Sequence, residues 1–231
     1  MADAWAAREL LELAEGQRDA TTPDRWGRTP VLAAAFSGYT DTVRALVQAC
    51  GADADAADNR GRTPVLVAAA RGYTDTVRAL VRECGADVNR GNGYGETPLF
   101  LAASAGYNET VRALVRECGA DVNRGNGFGE TPLFLAASAG HAQTVQALVE
   151  CGADANRRNA YGETPLFPAA SAGHAQTVRA LVECGADANS ANAYGDTPLL
   201  LAASAGHAQT VRALIECGAD HRRREYDPDW Q

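Results

Sequence analysis

Apolar residues along the chain fall into two alternating patterns. In the first, Val43, Leu46, Val47 and Cys50 stand at i, i+3, i+4 and i+7 with Arg44 and Gln48 on the other side. This spacing predicts an amphipathic helix with one buried stripe. The second pattern is a short run that is small or apolar all round, such as Leu99, Phe100, Leu101, Ala102 and Ala103. A helix of that kind must lie between neighbours on both faces. Threonine and proline precede each such run, the threonine suited to cap the helix and the proline to occupy its first position, where a missing N–H costs nothing. Gly106 breaks the all-apolar helix and Gly51 closes the amphipathic one, glycine being the residue that enters the left-handed conformation most easily. Between units, an Asp/Asn-x-x-Gly turn such as Asn92-Gly93-Tyr94-Gly95 carries the chain through a hairpin-like finger.

The two patterns repeat. Thr-Pro pairs begin at Thr29, Thr63, Thr97, Thr131, Thr164 and Thr197, with spacings of 34, 34, 34, 33 and 33 residues. Cys-Gly-Ala-Asp recurs in step at Cys50, Cys84, Cys118, Cys151, Cys184 and Cys217. A fixed period of this length predicts stacked units, each burying its faces only against its neighbours.

From about Asp24 to Asp220 the units resemble the ankyrin repeat family, whose period is ~33 residues with a Thr-Pro-Leu-His-x-Ala signature. The resemblance implies an all-α solenoid of stacked antiparallel helix pairs with β-turn or hairpin fingers. The expected organisation is an N-terminal capping helix within 1–22, six repeats over 23–220 and a charged tail over 221–231. Ala2 to Glu15 carries Leu10, Leu11 and Leu13 among charges, as such a cap would, and Tyr226 and Trp230 are candidates to cover the other end.

Three departures set expectations. Leu32, Leu66, Phe100, Phe134, Phe167 and Leu200 replace the signature histidine, so its hydrogen bonds between units must be absent or substituted. The first three repeats carry an extra residue before the cap glycine, which predicts second helices one residue longer. Pro168, near the fourth helical position, should perturb its helix without breaking it.

Composition narrows the function. The net charge of −8 argues against a nucleic-acid partner, which calls for a positive footprint. Nothing near Met1 reads as a secretory signal and no apolar run reaches the ~18 residues of a membrane span. An intracellular, by default cytoplasmic, monomer follows as the expectation. All 21 basic residues are arginine, a bias that GC-rich coding produces and that would also suit a protein avoiding ubiquitin attachment.

Candidate chemistry is sparse. The six cysteines hold one equivalent position per repeat, and equivalent atoms of stacked helices lie ~8 to 10 Å apart. That is too far for a disulfide or a shared zinc ion, so buried, reduced thiols are expected, with no metal and no cofactor. His141, His174 and His207 interchange with Tyr39, Tyr73 and Tyr107 at one position, which points to a structural role. No phosphate loop, His-Glu-x-x-His helix or Ser/His/Asp set occurs, and the chain is not expected to be an enzyme.

The positions that vary are the finger tips. Before the turn glycine stand Trp26, Arg60, Tyr94, Phe128, Tyr161 and Tyr194, and after it Arg28, Arg62, Glu96, Glu130, Glu163 and Asp196. The resemblance implies that finger tips and the exposed face of the first helices grip a partner protein. Five aromatic tips and a change from basic to acidic flanks then suggest a partner with an acidic and a basic end, unless the aromatics merely stack on neighbouring fingers. Phe36 and Arg71 are further candidates at the N-terminal end. The family's hydroxylated asparagine motif, Asp-Val-Asn, is matched at Asn89 and Asn123. A protein-binding module is thus the leading reading, with a consensus-like scaffold lacking a natural partner and a cysteine-based redox sensor as the alternatives.

Overall fold

A computed structural model describes residue 19 and residues 21–221, which form six helix pairs. The expected helix over Ala2 to Glu15 and the tail residues Tyr226 and Trp230 lie outside them. The first helices are α1 (Pro30–Ser37), α3 (Pro64–Ala69), α5 (Pro98–Ser104), α7 (Pro132–Ser138), α9 (Leu166–Ser171) and α11 (Pro198–Ser204). The second helices are α2 (Thr40–Gln48), α4 (Thr74–Arg78, continued by a π turn over Ala79–Glu83), α6 (Asn108–Arg116), α8 (Ala142–Glu150), α10 (Ala175–Glu183) and α12 (Ala208–Glu216). First helices pack on first helices and second on second, repeat by repeat. No strand occurs among the described residues.

Local chemistry sets the start of each first helix. The Oγ1 of Thr29, Thr63, Thr97, Thr131 and Thr197 accepts the N–H three residues on, at 3.2 to 3.3 Å. Each such cap contributes about 1 kcal/mol. In repeat five Pro168 has no N–H for the Thr164 carbonyl, which accepts from Phe167 at 3.0 Å instead. The helix therefore starts at Leu166 and Thr164 makes no capping bond; its Oγ1 lies 3.5 Å from Ser190 Oγ. The perturbation stops there, for Leu166, Phe167, Ala169 and Ala170 are all buried.

The glycine ending each first helix holds φ between 74° and 80°. In five repeats the ring of the following unit lies over it: Tyr73, Tyr107, His141, His174 and His207 come within 2.8 to 3.0 Å of where a Cβ would stand on Gly38, Gly72, Gly106, Gly140 and Gly173. Glycine is needed there on two counts, for the left-handed backbone and for the space. This ring position, rather than the signature position, links neighbouring repeats. The Nε2 atoms of His141, His174 and His207 lie 3.1, 3.1 and 2.9 Å from the carbonyl oxygens of Ser104, Ser138 and Ser171. A carbonyl can only accept, so Nε2 carries the proton.

The extra residue of the first three repeats does not lengthen α2 or α6, each nine residues like α8, α10 and α12. It enlarges the turn that closes the helix. Ala52, Ala86 and Ala120 N–H bond the carbonyls of Leu46, Leu80 and Leu114, six residues back; Ala153, Ala186 and Ala219 bond Leu148, Leu181 and Leu214, five back. In repeat two the same residue widens the last helical turn to π. One further α residue would rotate the exit by ~100° and raise it ~1.5 Å, moving the finger out of the stack. A wider turn absorbs the residue without that displacement.

This geometry also corrects the expected burial of the thiols. Cys50 is exposed and the other five cysteines are half-buried, because each sits at the helix exit rather than on the stripe. Burial still pushes the thiols of Cys84, Cys118, Cys184 and Cys217 above the ordinary cysteine range.

Candidate partner-binding surface

Each finger is a turn closed by its first side chain. Asn92 Oδ1 accepts the N–H groups of Tyr94 and Glu96 at 2.9 and 3.1 Å, and its Nδ2 donates to the Glu96 carboxylate at 2.7 Å. Asn126 does the same for Phe128 and Glu130, and Asn159 for Tyr161 and Glu163. Asn192 bonds the N–H groups of Tyr194 and Asp196. In fingers one and two aspartate takes the asparagine's place and arginine the glutamate's. Asp24 accepts from Trp26 N–H, Arg28 N–H and the Arg28 guanidinium, and Asp58 likewise from Arg60 and Arg62. Burial disfavours the Asp24 carboxylate, but the bonds from Arg28 and Trp26 outweigh it and hold the group below its usual range.

The side chain four residues before thus dictates the charge after the glycine. Arg28 and Arg62 form ion pairs with Asp24 and Asp58. The uncompensated positive charge at these tips belongs to Arg25 and Arg60, both exposed. Counting each turn from its Asp or Asn to the residue after the glycine, fingers one and two hold two arginines against one aspartate. Fingers three to six hold one carboxylate and no cation. The sign of the charge therefore changes between fingers two and three, with Arg25 and Arg60 on the basic side.

The tips are strung together by backbone. The carbonyls of Trp26, Tyr94, Phe128 and Tyr161 accept the N–H of Asn59, Gly127, Ala160 and Ala193 in the next finger at 2.9 to 3.2 Å. No such bond joins Arg60 to Gly93 among the described residues, and the charge changes at that seam.

The rings keep much of their surface in water. Trp26 is 48% exposed, Tyr94 76%, Phe128 54%, Tyr161 47% and Tyr194 76%. Trp26 is covered by its own finger, with the guanidiniums of Arg25 and Arg28 at 3.8 and 4.3 Å from the ring centroid.

Elsewhere the sequence-derived candidates fare differently. Phe36 is only 9% exposed and lies under the Arg71 guanidinium at 3.9 Å. Asn89 and Asn123 join repeats: their Oδ1 atoms accept the N–H of Asp121 and Asp154, and Asn123 Nδ2 donates to the Gly152 carbonyl. Leu101, Leu135, Pro168 and Leu201, half-exposed on the first helices, were not among the candidates. Their signal was present, as the fourth position of each all-apolar helix. No group of side chains that could hold a metal ion is found among the described residues, and no helix there is long and apolar enough to cross a membrane.

A family model of ankyrin repeats in three copies matches residues 3–92, 84–159 and 133–225. No curated protein matches the chain.

Proposed function

Given that the chain belongs to the ankyrin repeat family, whose repeats are generally protein-interaction modules, we propose that it is a non-catalytic scaffold gripping a partner protein along its finger rim. Trp26, Tyr94, Phe128, Tyr161 and Tyr194 are the anchors, flanked by Arg60, Glu96, Glu130, Glu163 and Asp196, with Leu101 and Leu135 on the adjoining helices. The observation that carries the reading is the exposure of the tip rings, at 47 to 76%. An aromatic side chain offers large contact area with few rotors to immobilise, which is why such residues dominate interface energetics. Keeping five of them in water serves the fold little.

The test is selection from a displayed random-peptide library on the full chain and on a Tyr94→Ala/Phe128→Ala/Tyr161→Ala variant. The variant should keep its unfolding midpoint, since exposed substitutions each shift stability by about 0.5 kcal/mol or less. It should lose the peptides that the unaltered chain enriches, by about thirtyfold in affinity for one lost anchor of ~2 kcal/mol. Enrichment of the same peptides by both proteins would show that the rim is not the binding surface.

A further inference from the structure

We propose that the partner segment is an extended, cationic stretch of polypeptide that lies along fingers three to six with arginine or lysine at about every third residue. The inference rests on the rim being the binding surface and adds the chemistry of what binds. Finger one supplies the pattern. Its Trp26 ring has the Arg25 and Arg28 guanidiniums over it at 3.8 and 4.3 Å, and Asp24 accepts from the Arg28 side chain. Aromatic face, guanidinium and carboxylate are thus complete within one turn. Fingers three to six keep the ring and carry their carboxylate at the position of Arg28, with no cation between the turn asparagine and that carboxylate. Tyr94, Phe128, Tyr161 and Tyr194 have no guanidinium over their rings among the described residues. Among the described residues the side chains of Glu163 and its counterparts Glu96 and Glu130 accept only from a neutral asparagine amide, with no ion pair to compensate their charge.

A cation from outside completes each of these sites, attracted by the ring face and the carboxylate together. Spacing fixes the shape of the ligand. Stacked helical units lie ~8 to 10 Å apart, and three residues of extended chain cover ~10 Å at ~3.3 Å each. The ligand's reach ends at the seam between fingers two and three, where Arg60 and the unpaired backbone step replace the acidic pattern. Arg158 bridges fingers five and six through the carbonyls of Gly162 and Ala191 and leaves the carboxylates free.

Fluorescence anisotropy with three labelled peptides tests this on the full chain: four Arg-Ser-Ser units, four Glu-Ser-Ser units, and the first composition with its arginines adjacent. The spaced arginine peptide should bind at least about tenfold tighter than either control, a difference of ~1.4 kcal/mol. Glu96→Gln/Glu130→Gln/Glu163→Gln/Asp196→Asn should weaken it by a similar factor with no change in unfolding midpoint, and Tyr94→Ala/Phe128→Ala/Tyr161→Ala/Tyr194→Ala likewise. Absence of binding, equal binding of the clustered peptide, or binding that survives both variants overturns the proposal; the last two outcomes reduce it to diffuse attraction by an acidic protein. Library selection that depends on the rim but enriches acidic or aliphatic peptides also overturns it, and leaves the rim itself intact as the binding surface.

Discussion

Thr40 and Thr74 each reach the buried threonine of the next repeat, with the hydroxyls of Thr40 and Thr76, and of Thr74 and Thr110, 2.8 Å apart. Asn108 Oδ1 accepts from Thr144 in the same way. In the C-terminal repeats Ala142 and Ala175 occupy the reaching position, and the buried hydroxyls of Thr177 and Thr210 have no hydrogen-bond partner among the described residues. What these repeats have instead is imidazole, bonding the serine carbonyls of the preceding unit where Tyr73 and Tyr107 only pack. The polar link between repeats has moved from the start of the second helix to the loop before it. The threonine left behind still fills its volume but now buries a hydroxyl with nothing to bond. The junction of repeats three and four carries both links, together with the Arg112–Glu150 ion pair. Of these two links the junction of four and five keeps the imidazole alone, beside the Asn156 bonds to Asp187 and Gly185, and repeat five also lacks its threonine cap because of Pro168.

The strongest way to break this comparison is at the glycine under the imidazole. Gly140→Ala meets both a left-handed backbone, costing about 1 to 2 kcal/mol, and the His174 ring at 2.8 Å, which cannot move without losing Ser138. Gly206→Ala has the same backbone but no atom within 4 Å. Urea unfolding should show a loss of about 3 kcal/mol for the first, overpacking adding to the backbone term, and about 1 to 2 for the second. Equal losses would mean the ring yields freely and links nothing.

A subtler pair tests the threonines. Thr76→Val removes a satisfied hydroxyl and strips Thr40 of its partner, at a cost of about 1 to 2 kcal/mol. Thr177→Val removes an unsatisfied one and should be neutral or stabilising by up to about 1 kcal/mol. Ala142→Thr should also stabilise, by giving Thr177 the partner that Thr40 gives Thr76. Equal destabilisation by the two valine variants would show that Thr177 finds a partner in solution.

The frame was legible because each of its rules is local: a threonine before proline caps, and a glycine after an apolar stripe closes. What sequence reading misjudged depends on register between units. The extra residue before Gly51 could lengthen the helix or widen its exit, and only the requirement that the fingers stay stacked decides for the exit. That choice placed Cys50 in water. The orphaned Thr177 is visible in the chain only once Ala142 is known to face it from the preceding repeat. At the fingers, the pairing of Asp24 with Arg28 against Asn92 with Glu96 lies within four residues and was open to view, yet its meaning needs the turn that folds one side chain onto the other. The exposure of the rings, on which the proposed function rests, belongs to the stack as a whole.

The smallest expected effect concerns the outer face of the second helices. Arg44 pairs with Glu83, Arg78 with Glu117, Arg112 with Glu150 and Arg179 with Glu216, each joining one repeat to the next. Gln146 interrupts the series opposite Glu183, at the same junction that lacks a threonine link. Gln146→Arg should restore the rung and raise stability by about 0.2 to 1 kcal/mol, the range for exposed pairs. The gain should depend on pH in a defined direction. Hydrogen bonds from Arg44 and Arg78 hold Glu83 and Glu117 below the ordinary glutamate range. A carboxyl depressed in the folded state stabilises above its unfolded pKa of ~4.3, and that contribution is lost as the pH falls through the lower folded value. The variant should therefore exceed the unaltered chain in unfolding midpoint at pH 7 and converge with it in acid. A gain that persisted in acid would come from the arginine stem packing against the next repeat rather than from the ion pair.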